Sequence, residues 1–150
     1  MAKSIREQIT DALLTRAATI TTANGYNCGM GSNVQWAVKT IDPDDLPAVI
    51  VWPQAEEATR EYGNTVAVML VRIEALDMIG TGAPGQLVEQ MLADLITAFD
   101  GGAAISAYIE DCKYMRGGAD DYPEPGAEAV AAFIELEIKY RTAAGNPYSQ

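Results

Sequence analysis

The sequence predicts an α+β fold: two helices packed on one face of a largely antiparallel sheet of about five strands, in the order α-β-β-β-α-β-β. Three observations predict it. Two segments carry apolar residues at three- and four-residue spacing, the mark of an amphipathic helix. Two others, 65–76 and 129–141, alternate with period two. Strand-like segments also come in runs, where a parallel α/β chain would interleave each with a helix. At 150 residues the chain can bury one compact core, so residues 1–150 are expected to form a single domain.

Taken in order, Ser4 and Glu7 make the S-x-x-E signature of a helix start. Ile5, Ile9, Ala12, Leu13, Ala17 and Ile20 then form one apolar stripe, predicting a helix over 5–20. Turn formers in "TTANGYNCGMGS" (21–32) stop it. "NVQWAVK" (33–39) alternates and reads as a strand, and "DPDDLP" (42–47) as a turn. "AVIVW" (48–52) is a short strand apolar on both faces, expected to end at Pro53, with 54–64 polar and suited to a helical turn. The long strand 65–76 follows. Pro84 is well placed at a helix start. Leu87, Val88, Met91, Leu92, Leu95, Ile96 and Phe99 form the second stripe, closed at Gly101–Gly102. Residues 104–115 read as a strand, 116–128 as a loop and 129–141 as the last strand, with no periodicity in the tail.

The strand 65–76 poses a problem of cover. Ala67, Met69, Val71, Ile73 and Ala75 share one face; Val66, Val68, Leu70, Arg72 and Glu74 share the other. The helices can cover only the first, together with Ile134, Leu136 and Ile138. Leaving Val66, Val68 and Leu70 exposed forfeits roughly 1.5–3 kcal/mol each, a large part of the about 5–15 kcal/mol that holds a domain. Either the long loop 21–47 or another protein molecule should cover them. Apolar residues beside charged ones resemble the core and rim of an interface.

Composition narrows the function. The net charge is −11, and the ten Lys and Arg are scattered, which argues against tight nucleic-acid binding. Absence of histidine removes the commonest general base and metal ligand. Cys28 and Cys112 are in no CxxC spacing and are expected to be free thiols, Cys112 buried and Cys28 the more exposed. No apolar run is long enough for a membrane span, and "MAKSIREQIT" lacks a signal-peptide core, so an intracellular soluble product is expected. "GMGS" (29–32) fails the dinucleotide fingerprint. Asp42, Asp44 and Asp45, and likewise Asp120, Asp121 and Glu124, offer oxygens but match no cation-loop spacing and read as solvated turns. Trp36, Trp52, Tyr108, Tyr114 and Tyr140 read as core or interface. No catalytic residue, metal site or cofactor is predicted.

Three stretches, "SIREQITDALLTRAATI", "PDDLPAVIVWPQAEEATREYGNTVAVMLVRIEAL" and "GGADDYPEPGAEAVAAFIELEIKYRTAAGNPYSQ", together resemble the small tail terminator proteins of long-tailed bacteriophages, also called minor tail or tail completion proteins. The marks are "LPAVIVW", the "EYG" before the long strand, the "YPEPG" loop and the terminal "YRTAAGNPY". The resemblance implies a non-enzymatic structural virion protein, a homo-hexameric ring that caps the finished tail tube and docks the DNA-filled head. It implies the tail tube protein and head–tail connector or neck proteins as partners. It also implies a place at the tail–neck junction of the virion after synthesis in the host cytoplasm, with no membrane association. DNA would pass through the lumen without specific binding, and acidic walls would repel it; Asp120, Asp121 and Glu124 are candidates by loop position. Val66, Val68 and Leu70 are the expected subunit contacts, and Gly145, Asn146, Pro147 and Tyr148 the expected partner-contacting tail. A head completion or connector protein is the nearest alternative; a monomeric binding module and a small carboxylate or metal-dependent enzyme are alternatives of other classes.

Overall fold

The computed structural model describes residues 1–101, 104–120 and 128–150. Its elements are α1 (Ile5–Ala17), β1 (Val34–Trp36), β2 (Ala48–Glu61), β3 (Asn64–Met78), α2 (Pro84–Phe99), β4 (Ile109–Ala119) and β5 (Ala129–Ala143), with short 3-10 turns between some of them. The five strands form one sheet in the order β1-β2-β3-β5-β4. Every neighbouring pair is antiparallel except β1 with β2, which is parallel. This is the α+β arrangement that the sequence predicts.

The core lies between the helices and one face of the sheet. Ser4 caps α1 by accepting the Glu7 N–H at 3.1 Å, and Ile5, Ile9, Leu13 and Ala17 are buried beneath it. Pro84 opens α2, which buries Val88, Met91, Leu95, Ala98 and Phe99. They meet Ala67, Met69, Val71, Ile73 and Ala75 of β3 and Ile134, Leu136 and Ile138 of β5 in one cluster. Pairing in register places these β3 and β5 residues side by side, with Met69 opposite Ile138, Val71 opposite Leu136 and Ile73 opposite Ile134. Side chains of opposed residues share a face, so one register fixes the whole layer.

Several boundaries differ from the sequence expectations. Strand β2 does not stop at Pro53, and no helical turn forms over 54–61. The strand continues to Glu61, with a bulge between Pro53 and Glu56. The missing proline N–H falls on the outer edge of β2, beyond the point where β1 ends opposite Val51, so no sheet hydrogen bond is lost. The distal half of β2 lacks apolar alternation because nothing is packed on it: residues 54–61 are all exposed. β1 is shorter than expected, its path turned aside by Ala37 at a left-handed φ of 53°. β4 starts and ends later than expected, running to Ala119 through residues read as loop, and β5 extends to Ala143. Part of the outer edge of β4 is closed: the Gly101 N–H donates to the Cys112 carbonyl, and the Tyr114 N–H to Asp100, both at 3.3 Å.

The loop after α1 also has a definite place. Asp94 of α2, 2% exposed, accepts the backbone N–H groups of Asn27 and Cys28 at 2.9 and 2.8 Å and the Asn27 side-chain amide at 2.9 Å. Met30 is buried in the core. Gly31 sits so close to the end of α1 that a Cβ there would lie 2.6 Å from the Ala18 carbonyl oxygen, and its N–H donates to the Ile20 carbonyl at 2.8 Å. Residues 27–31 therefore pack on the helix side of the sheet. Cys28 is buried, contrary to the expectation of an exposed thiol, because Asp94 draws its backbone inward. Burial, then the nearby Asp94 carboxylate, pushes its thiol up to about 11. Cys112 is buried as expected, its Sγ directed at the Phe99 carbonyl oxygen 3.2 Å away.

Candidate functional site

The second face of the sheet is the candidate site. Both helices and residues 27–31 belong to the opposite side, so neither covers Val66, Val68 and Leu70. Along β3 exposure on this face rises: Val66 is 6% exposed, Val68 half-buried and Leu70 42% exposed. Val66 lies between Thr59 and Arg141, Val68 between Glu57 and Lys139, and Leu70 beside Glu137. The chain thus covers Val66 with its own neighbouring side chains and leaves Leu70 open. Val68, Leu70, Ala55, Glu56, Glu57 and Glu137 line a shallow depression of about 290 Å³. Among the described residues neither Glu57 nor Glu137 has an ion pair.

Beyond Leu70 the same face becomes ionic. Arg72 donates to Glu74 at 2.7 Å, to Asp120 at 2.5 Å and to Glu135 at 3.4 Å. Its guanidinium lies 4.0 Å from the Phe133 ring centre, a favourable cation–π geometry. Arg116 holds Glu135 through two bonds of 2.6 and 3.0 Å, and that guanidinium keeps the Glu135 carboxyl below its ordinary range despite partial burial. Charges here are largely matched, as in the rim of an interface. Asp120, one of the expected lumen acids, belongs to this network and pairs with Arg72. Asp121 and Glu124 lie outside the described residues. Trp52, opposite Arg72, buries its Nε1–H with no acceptor among the described residues.

No family model matches the sequence, and comparison with curated proteins finds no match. Among solved structures, a chain from the virion of a native gene transfer agent (GTA) particle is similar, with a TM-score of 0.56 and 16% sequence identity. The likeness covers 89% of this chain and 97% of that chain. The two chains share a fold over nearly their whole lengths.

The expected contact tail is exposed at Gly145, Asn146, Pro147 and Tyr148, but its backbone is tied to its own chain. The Ile5 N–H donates to the Pro147 carbonyl, and the Ala143 N–H to the Ser149 carbonyl, both at 2.8 Å. Gly145 makes the reversal at a φ of 73°. Beside the tail, Glu56 accepts from Arg6 at 2.8 Å and from the Tyr140 hydroxyl at 2.5 Å, and Arg6 also holds the Gln54 carbonyl. Burial, reinforced by Glu56, pushes the Tyr140 phenol well above its ordinary value. These bonds fasten α1 and β5 to the middle of β2, and the Ala144 N–H donates to the Gly63 carbonyl of the hairpin turn at 2.9 Å.

Sequence reasoning missed the end of that hairpin. Tyr62 and Gly63 form its two-residue turn at φ 49° and 82°, the left-handed pair of a tight hairpin. Tyr62 is 98% exposed. The signal was present as the Tyr-Gly pair, but it reads as a turn only once residues 54–61 are recognised as a strand. Asp42 and its neighbours form the turn expected of them, with Asp42 accepting the Asp44 N–H at 3.0 Å. Among the described residues no group of three or more Cys, Asp or Glu is arranged to hold a metal ion, and no helix is long and apolar enough to cross a membrane.

Proposed function

We propose that the chain is a structural virion protein of a phage-like particle, a tail terminator that forms a ring on the finished tail tube and presents the surface to which the DNA-filled head docks. The observation that carries this reading is the fold shared over 89% of this chain with a GTA virion chain. The sequence resemblance to tail terminators narrows it, and the open face supports it. Its apolar centre and matched ionic border are what a subunit contact needs. Function then resides in interfaces, and the role is not enzymatic. The partners are further copies of the chain, most simply six, together with the tail tube protein and the connector or neck proteins, at the tail–neck junction. A net charge of −11 suits a channel that lets DNA pass without holding it.

A second reading, a head completion or connector protein, shares the virion context and the ring habit. Binding to isolated parts separates them. A terminator added to isolated tail tubes caps their ends and renders them competent to join filled heads. A head completion protein binds filled heads in the absence of tails. Binding to heads alone would overturn the terminator reading.

A further inference from the structure

The two unpartnered features of the hairpin are complementary, and its geometry keeps them apart within one chain. At the tip stand Tyr62, almost fully exposed, and Arg60, an exposed cation without an ion pair among the described residues. In the depression stand the exposed Leu70, the half-buried Val68 and the carboxylates of Glu57 and Glu137, which have no ion pair among the described residues. From Tyr62 to Glu57 or Val68 the strands run roughly 15–20 Å, at about 3.3 Å per residue. The Tyr62 side chain cannot span that distance back along its own hairpin, and Arg60, opposite Thr65, stands on the other face of the sheet from Glu57, opposite Val68.

We infer that the hairpin tip of one copy docks in the depression of the next, with the Tyr62 ring on Val68 and Leu70 and the Arg60 guanidinium against Glu57 and Glu137. A tyrosine supplies large apolar area with few rotors and a hydroxyl that a carboxylate can accept, which is why it anchors interfaces. Its backbone adds a second argument. A bulky residue at positive φ is uncommon, since glycine, asparagine and aspartate suit that turn position without steric cost. Strain kept at a fully exposed position gains nothing for the monomer and points to use elsewhere. Pairing Arg60 with Glu57 and Glu137 matches a hairpin cation to two carboxylates, all three without an ion pair among the described residues, in a protein rich in negative charge. Tip and depression are different surfaces, so each copy gives one and receives one. Such a head-to-tail contact closes into a ring when its rotation closes. This assignment rests on the ring reading above and names the contact that would build it.

The test combines charge exchange with cross-linking, on the full chain, free and in the presence of isolated tail tubes. Tyr62→Ala and Arg60→Glu should each raise the concentration at which half the chain is assembled by about tenfold or more. Glu137→Arg should do likewise, and Arg60→Glu combined with Glu137→Arg should recover most of the loss. The pair Tyr62→Cys and Leu70→Cys should give a disulfide between copies that neither single variant gives. Arg60, Tyr62 and Leu70 are exposed and Glu137 is half-buried on the open face, and far-UV circular dichroism checks that each variant folds. If assembly persists with the wild-type midpoint in Tyr62→Ala and no cross-link forms, the contact is overturned while the ring reading stands. If the wild-type chain stays monomeric and binds no tube end, both fail.

Discussion

The two faces of β3 are built from the same strand under opposite demands. On one, five consecutive inward side chains from Ala67 to Ala75 are 3% exposed or less, all apolar and opposite apolar partners on β5, except that Ala67 faces Tyr140. On the other, cover fades from Val66 to Leu70 and then gives way to the Arg72 network. The first face is solved within the chain and accounts for the fold. The second is left partly unsolved, and the missing cover is where the function is proposed to lie. Apolarity alone therefore does not identify a core residue. What matters is whether the chain itself supplies the facing surface.

Changes on the inward face should cost most. Leu136→Ala should lower stability by about 2–5 kcal/mol through lost burial and a residual cavity, read by denaturant unfolding. Asp94→Ala comes next, at roughly 1–3 kcal/mol, because it leaves the buried Cys28 N–H and the part-buried Asn27 N–H without their acceptor. It should also let thiol reagents reach Cys28, which in the native protein should remain unlabelled at pH 8 because its thiol is buried and held neutral. The same thiol gives a pH dependence. Its value rises from 9.0 in the unfolded chain to about 11 in the fold, so unfolding releases a proton between those values. The contribution is complete below pH 9 and is lost as pH rises through that window; urea midpoints measured across it should fall.

The outward face should respond in the reverse sense. Tyr62→Asn should raise monomer stability by about 1 kcal/mol by easing the left-handed turn position, while weakening self-association. Leu70→Asp should change monomer stability by about 0.5 kcal/mol or less, yet abolish assembly measured by native mass. A Leu70→Asp chain that fails to fold would place Leu70 with the core and erase the contrast between the faces.

What could be read from the sequence follows the same division. The alternation over 65–76 and 129–141 and the stripe from Leu87 to Phe99 were legible because a packed core imposes periodicity on whatever faces it. Ser4 and Pro84 were legible because helix starts demand particular chemistry. The distal half of β2 was not, since residues 54–61 are all exposed, held by backbone pairing to β3 and by polar ties at Gln54, Glu56 and Glu61, and no core writes a pattern into them. The buried place of Cys28 was hidden because it depends on Asp94, 66 residues away in sequence. Val66, Val68 and Leu70 stood out as surplus apolarity, but the graded cover between them depends on Thr59, Glu57 and Glu137 across the strands. Tyr62 was missed because its turn has meaning only between two strands, one of which carried no signal.

The most direct test of the central claim is the native mass of the chain by light scattering over a range of concentrations, alone and with isolated tail tubes. A species near six times 16.0 kDa, in free solution or on tube ends, is the predicted result. A strict monomer at every concentration that also leaves tube ends bare would contradict the ring, and with it the reading of the open sheet face as a subunit contact.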